Sequence, residues 1–200
     1  MMKKLTYFAF ALVGALALVP LKGVTISGTA LSGVLNESGS PIGSGWAAFV
    51  VFDTEGNGFL LDGGIVVGDT IASGSFFESS DDYIVSFNAT TFLNTVPGNA
   101  SFTLGDNSID DGDAFGIVFF DSVVSSASVS PEFGDAYGFV TDNSWVAPSN
   151  NSDTLTFGGG GTLAQVSGSQ ANLTVVPEPS SFAFLAGALG FGLALIRRRR

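Results

Sequence analysis

The chain has 200 residues, 46% of them hydrophobic, with 27 Gly, no Cys, no His and a formal charge of −11. Without Cys there is no disulfide framework, iron–sulfur cluster or thiol nucleophile; without His the usual general base, the Ser-His-Asp and Cys-His constellations and most zinc sites are excluded. The basic residues are Lys3, Lys4, Lys22, Arg197, Arg198, Arg199 and Arg200, so the stretch between Gly23 and Ile196 holds no cation at all but all 18 acids, 17 of them before Val176.

The chain opens with a basic pair, Lys3 and Lys4, followed by an apolar run over residues 5–18. That run is too short for a comfortable membrane span and has the layout of a secretory signal. Ala15 and Ala17 offer the small residues that signal peptidase requires, and Pro20 and Lys22 leave the exact cut open. Residues 1–22 are therefore expected to direct export, with signal peptidase as the first processing partner.

Residues 23–175 read as one acidic domain, long enough for a sizeable core. Runs rich in Val, Ile, Phe and Thr are broken every several residues by Gly, Ser, Asp and Asn, and long helix-period stretches are missing. Strands are expected at 24–31, 46–52, 59–67, 70–77, 83–92, 100–104, 114–120, 136–141, 153–157, 161–166 and 171–176. Alternation places Tyr83, Val85 and Phe87 on one face. The fold class is all-β, a single β-sandwich or jelly-roll-like domain, and the 19 Phe supply bulk without polar atoms to satisfy. With no Lys or Arg, the domain has no partner groups for nucleic acid or phosphate, and its carboxylates must be hydrated, hydrogen-bonded or bound to cations.

One segment is duplicated. Gly112-Asp113-Ala114-Phe115-Gly116-Ile117-Val118 returns as Gly134-Asp135-Ala136-Tyr137-Gly138-Phe139-Val140, and each copy leads to a further acid, Asp121 or Asp142. An earlier run, Ala48 to Phe52, also leads to an acid, Asp53. Similar strands need similar turns, and Gly with Asp suits turns, so a shared turn chemistry explains the repeat more simply than a shared ligand.

The densest group of oxygen ligands spans residues 106–113, with Asp106, Ser108, Asp110, Asp111 and Asp113 as candidate ligands. Calcium, which takes six to eight oxygens in a flexible loop, is the cation this composition suits, although the spacing is not that of an EF-hand. A carboxylate pair could also support glycoside hydrolysis without His or Cys, yet none of the Glu residues sits in a recognisable catalytic motif. Trp46, Trp145, Tyr83 and Tyr137 are candidate sugar-stacking platforms, with core packing as the alternative role.

The tail has three parts in order. Val176, Pro177, Glu178 and Pro179 precede an apolar stretch over 182–196, which ends in Arg197, Arg198, Arg199 and Arg200. Fifteen helical residues span about 22 Å, which snorkelling arginines extend across a thinned bilayer. The arginine cluster keeps the end of the chain cytoplasmic and the domain on the other side. This arrangement over 176–200 resembles the PEP-CTERM sorting signal of Gram-negative bacteria. The resemblance implies recognition by an exosortase, a membrane-embedded cysteine protease and transpeptidase, with cutting near Pro177, Glu178 and Pro179. It also implies transient residence in the inner membrane, delivery to the cell surface or extracellular matrix, and association with exopolysaccharide. The expected role is structural or interactive, without catalysis. A calcium-dependent carbohydrate-binding sandwich and, more remotely, a glycoside hydrolase are the alternatives.

Overall fold

The computed structural model describes residues 23–43, 46–59, 65, 67, 70–77, 82–87, 95–123, 128–158, 160–175 and 189. The expected signal peptide, the motif at 176–179, the apolar stretch apart from Leu189, and the arginine cluster lie outside the described residues. Among the described residues, no helix is long and apolar enough to cross a membrane.

The described chain is all-β, with twelve strands: β1 (Val24–Ser32), β2 (Trp46–Asp53), β3 (Ile71–Ala72), β4 (Phe76–Phe77), β5 (Asp82–Ser86), β6 (Thr95–Phe102), β7 (Ala114–Val123), β8 (Ser128–Val129), β9 (Ala136–Val146), β10 (Thr154–Phe157), β11 (Val166–Ser167) and β12 (Leu173–Thr174). Six of them form an antiparallel sheet in the order β12-β9-β7-β2-β5-β4. A second sheet is centred on β1. Antiparallel β6 occupies one edge of β1 from Val24 to Ser32. Parallel β10 and β11 share the other edge in succession, at Thr25–Gly28 and Leu31–Ser32. The two sheets face each other in a β-sandwich-like fold. A small antiparallel pair, β3 with β8, joins neither ladder and packs through Ile71 and Val129 against the six-stranded sheet.

The six-stranded sheet is buried on both sides. Alternate residues of β2 and β7 (Ala48, Val50, Phe52, Phe115, Ile117 and Phe119) enter the core shared with the β1 sheet. Their neighbours Phe49, Val51, Val118 and Phe120 enter a second cluster with Ile65, Ile71, Val129 and Val175. Two-sided burial explains why β2 reads as an unbroken apolar run rather than an alternation. In β5 and the residue after it the expected face is found: Tyr83, Val85 and Phe87 pack into the first cluster and Ile84 into the second.

Several strands differ from expectation. Of the expected strand 59–67, residues 60–64 and 66 lie outside the described residues, and Phe59, Ile65 and Val67 carry no strand. Ile65 is buried and Phe59 and Val67 pack beside it, so these three side chains cover the outer cluster. Residues 70–77 break into β3 and β4 around Gly74, whose φ is +86°. β6 starts at Thr95, ahead of the expected 100, because Pro97 and Gly98 mimic a turn in sequence. Pro97 sits on a flank strand beside a register shift in β1, where a missing N–H is tolerated. Segment 161–166 contributes an isolated bridge, Phe157 with Leu163, before β11.

Both seams of the sandwich are tied. After β5 the chain crosses to the other sheet, and the Asn99 amide donates to the Phe87 carbonyl at 3.0 Å. A Cβ at Gly98 would collide with that carbonyl and with the Phe87 ring. On the opposite side, the Trp145 indole donates to Ala164 O at 2.9 Å and the Ala164 amide donates to the Ser144 hydroxyl at 2.9 Å.

The second glycines of the duplicated segment have a matching role on opposite faces. Gly138 lies across from Phe119, and a Cβ there would enter the Phe119 ring; a Cβ at Gly116 would enter the Phe139 ring. Each aromatic lies over the glycine of the neighbouring strand, a pairing known to compensate glycine's weakness in sheets. Phe119 is fully buried and has nowhere to move. Gly138→Ala is therefore expected to cost about 1–3 kcal/mol by overpacking. In urea unfolding, adding Phe119→Leu should recover part of that loss, a coupling that a double-mutant cycle would measure.

Candidate functional site

The structure shows how the duplicated Gly-Asp segments work. Gly112 and Gly134 have φ of +90° and +91°. The following carboxylates close matching turns: Asp113 Oδ2 accepts from the Asp110 amide at 2.7 Å, and Asp135 Oδ2 from the Glu132 amide at 2.8 Å. Each copy also exchanges two backbone bonds with a neighbouring chain end. Gly112 N–H donates to Ala147 O and Ala147 N–H to Asp113 O, at 3.0 and 2.8 Å. Gly134 N–H donates to Val175 O and Val175 N–H to Asp135 O, at 3.3 and 2.9 Å. The repeat is a turn that starts a strand and clamps the end of another.

The acids after each copy do not end their strands. β7 continues past Asp121 and β9 past Asp142. Between Thr141 and Val146 the register of β9 against β7 slips, since Gly116 pairs with Thr141 while Ala114 pairs with Val146. Asp142 organises this bulge by accepting from the Ser144 amide at 2.8 Å and the Ser144 hydroxyl at 2.7 Å. The bulge delivers Trp145 to the core. Asp53 does end β2; it is buried, and its two oxygens accept from the Asn57 and Gly58 amides at 3.2 and 2.9 Å.

The residues expected to bind calcium lie on the loop between β6 and β7, but they do not converge. Asp106, Ser108, Asp110 and Asp111 are exposed, and Asp113 turns back to hold the Asp110 amide. Among the described residues, no group of three or more carboxylates is arranged to hold a metal ion. The loop is instead braced by its own backbone: Gly105 N–H donates to Ile109 O at 2.8 Å and Ile109 N–H to Asp106 O at 3.1 Å. Asn151 Oδ1 accepts from the Leu104 amide at 2.6 Å, and Ile109 is buried as an anchor. This bracing holds Asn107 and Ser108 in the left-handed region, with φ of 55° and 62°.

Beside that loop, a cleft of about 220 Å³ opens where β5 of one sheet passes the end of β6 of the other. Tyr83, Ser101, Thr103, Asp106 and Asn107 contribute to its wall, and buried Val85, Phe102 and Ile109 make an apolar base. Phe76 meets the Tyr83 ring edge-on at 5.4 Å. Of the four aromatics considered as sugar platforms, Trp46, Trp145 and Tyr137 are buried in the core, and Tyr83 alone lines this cleft. Among the described residues the lining holds a single carboxylate, Asp106, where glycoside hydrolysis employs a pair. The cleft was not legible in sequence, because Tyr83, Ser101 and Asp106 come from segments that only the sheet packing brings together.

Comparison with protein-family models, curated proteins and solved structures yields no match.

Asp113 and Asp142 titrate away from the ordinary carboxylate range. Burial pushes Asp113 up; the hydrogen bond from the Asp110 amide opposes this, and the charges of Asp110 and Asp53 reinforce it. Asp142 is held low by its two hydrogen bonds from Ser144. Folded Asp113 keeps its proton to higher pH than the unfolded chain does. Its ionisation therefore opposes folding above the raised pKa, and the penalty fades as the pH falls. Asp142 acts in the opposite sense, favouring the fold until acid protonates it. Asp113→Asn keeps an oxygen for the Asp110 amide and removes the charge. Its Tm is expected to exceed the wild type by a few degrees at neutral pH, with the gap closing towards about pH 4 in a pH series of thermal melts.

Proposed function

We propose that the chain is an exported protein of the bacterial envelope, sorted by an exosortase through its tail and acting outside the cytoplasm as a structural or interaction component without catalysis. The observation that carries this reading is the order of Val176-Pro177-Glu178-Pro179, the apolar stretch 182–196 and the four terminal arginines. Prolines on both sides of Glu178 disfavour helix and sheet, a backbone preference that suits a protease substrate.

Two further features support it. Val175 is buried and doubly hydrogen-bonded to the 134–135 turn, so the folded domain reaches up to the residue before the motif. A domain without Lys or Arg and with 17 acids stays soluble through its anionic surface and avoids nucleic acid and anionic lipid.

Replacing Pro177, Glu178 and Pro179 together by Ala tests the proposal. Intact-mass analysis of the wild type from envelope and medium fractions should show a species that has lost the arginine tail, and the triple variant should keep its tail in the membrane fraction. Equal processing of both proteins, or full-length wild type in the cytoplasm, would refute the assignment.

A further inference from the structure

We propose that the cleft between β5, the end of β6 and the 103–109 loop is a binding site for a neutral sugar ring, reached at a chain end or on a protruding branch of a polysaccharide. This goes beyond the sorting proposal and stands whether or not the chain is exported.

The chemistry of the wall selects this ligand. Tyr83 offers an aromatic surface, set in orientation by its edge contact with Phe76 and by packing against the core. Lining the same cleft are Asp106, Asn107, Ser101 and Thr103, residue types whose carboxylate, amide and hydroxyl groups accept from and donate to vicinal hydroxyls. An aromatic residue beside several polar ones matches the two kinds of surface that a sugar presents, its C–H face and its hydroxyl rim. The volume, about 220 Å³, lies below the roughly 300–1,000 Å³ of pockets for drug-sized ligands, which suits one ring rather than a buried chain.

Charge narrows the class further. An anionic sugar would face Asp106 with no Lys or Arg anywhere in residues 23–196 to compensate it. A cation would be drawn to acids over the whole surface and would gain little from hydroxyls and an apolar base.

The site is also preorganised. The bonds bracing residues 104–109 and the burial of Ile109 set the backbone path that carries Asp106 and Asn107 before any ligand arrives, which confines the ordering cost of binding to their side chains.

The test uses the full-length chain in a zwitterionic detergent, since glycoside detergents would compete. Isothermal titration with neutral gluco-, manno- and galacto-tetraoses is compared with a uronic acid tetramer and a glucosamine tetramer. At least one neutral tetraose should bind, with an affinity insensitive to salt. Asp106→Ala removes an exposed side chain and leaves the fold intact; it should weaken that binding by roughly tenfold or more. Tyr83→Leu should do the same, while Tyr83→Phe, which keeps the ring and the packing, should retain binding. Asp111→Ala, on the same loop but away from the cleft, should leave it unchanged. The proposal is overturned if no neutral tetraose binds up to about 10 mM. It is equally overturned if Asp106→Ala binds as the wild type does, or if the charged tetramers alone bind and salt abolishes their binding.

Discussion

Contact between aromatic rings across the interior joins the two sheets, and much else in the fold depends on it. Phe102 of β6 meets Phe52 of β2 at 4.6 Å, and Phe52 meets Phe115 of β7 at 5.3 Å. Phe115 stacks on Trp145 at 5.8 Å, Trp145 meets Phe157 of β10 edge-on at 5.0 Å, and Phe157 reaches Phe87 at 6.0 Å. The path leaves the β1 sheet at one strand, runs through the six-stranded sheet and returns at another. Pairs in such geometries contribute about 0.5–1.5 kcal/mol each beyond the area they bury. Side-chain conformations with few rotatable bonds also fix the spacing of the layers, which is how a chain without disulfides defines a single packing.

The rings impose demands on the backbone around them. Trp145 reaches Phe115 because β9 bulges at Asp142, and its indole N–H is satisfied by Ala164. Phe119 has room because residue 138 is glycine. Phe87 can cross between sheets because residue 98 is glycine. Carboxylates meet the remaining polar demand. With no cations to pair, Asp53, Asp113, Asp135 and Asp142 satisfy backbone amides instead, so acids in this domain serve largely as caps for turns and bulges.

The sequence shows the fold class and the longer strands plainly, because β2 and β7 are largely apolar runs and β1, β9 and β10 carry Val, Ile, Leu, Phe and Thr between breaks at Gly and Asp. The Gly-Asp duplication reads correctly as shared turn chemistry, since φ at Gly112 and Gly134 and the carboxylate bonds of Asp113 and Asp135 coincide. Hydrophobicity alone could not separate a strand from a cover: Ile65 is as buried as any strand residue yet lies in none. Two-residue strands such as β8 carry too little pattern to detect. The acid-rich loop attracts attention by composition, but composition does not report direction, and Asp113 faces its own loop rather than a common centre. The cleft depends on residues about 20 positions apart in sequence meeting at a seam, which no local pattern encodes.

The clamp at Val175 has a mechanical corollary. Any load applied through the C-terminal end of the domain arrives first at β12, a two-residue strand at the outer margin of its sheet, held by its pairing with β9 and the bonds to the 134–135 turn. An outermost ribbon of this kind peels off one bond at a time, whereas β1 at the other end is gripped along both edges and must shear. Tension on this end would therefore be met first by the short β12 pairing and the bonds at Val175, with the aromatic interior behind them.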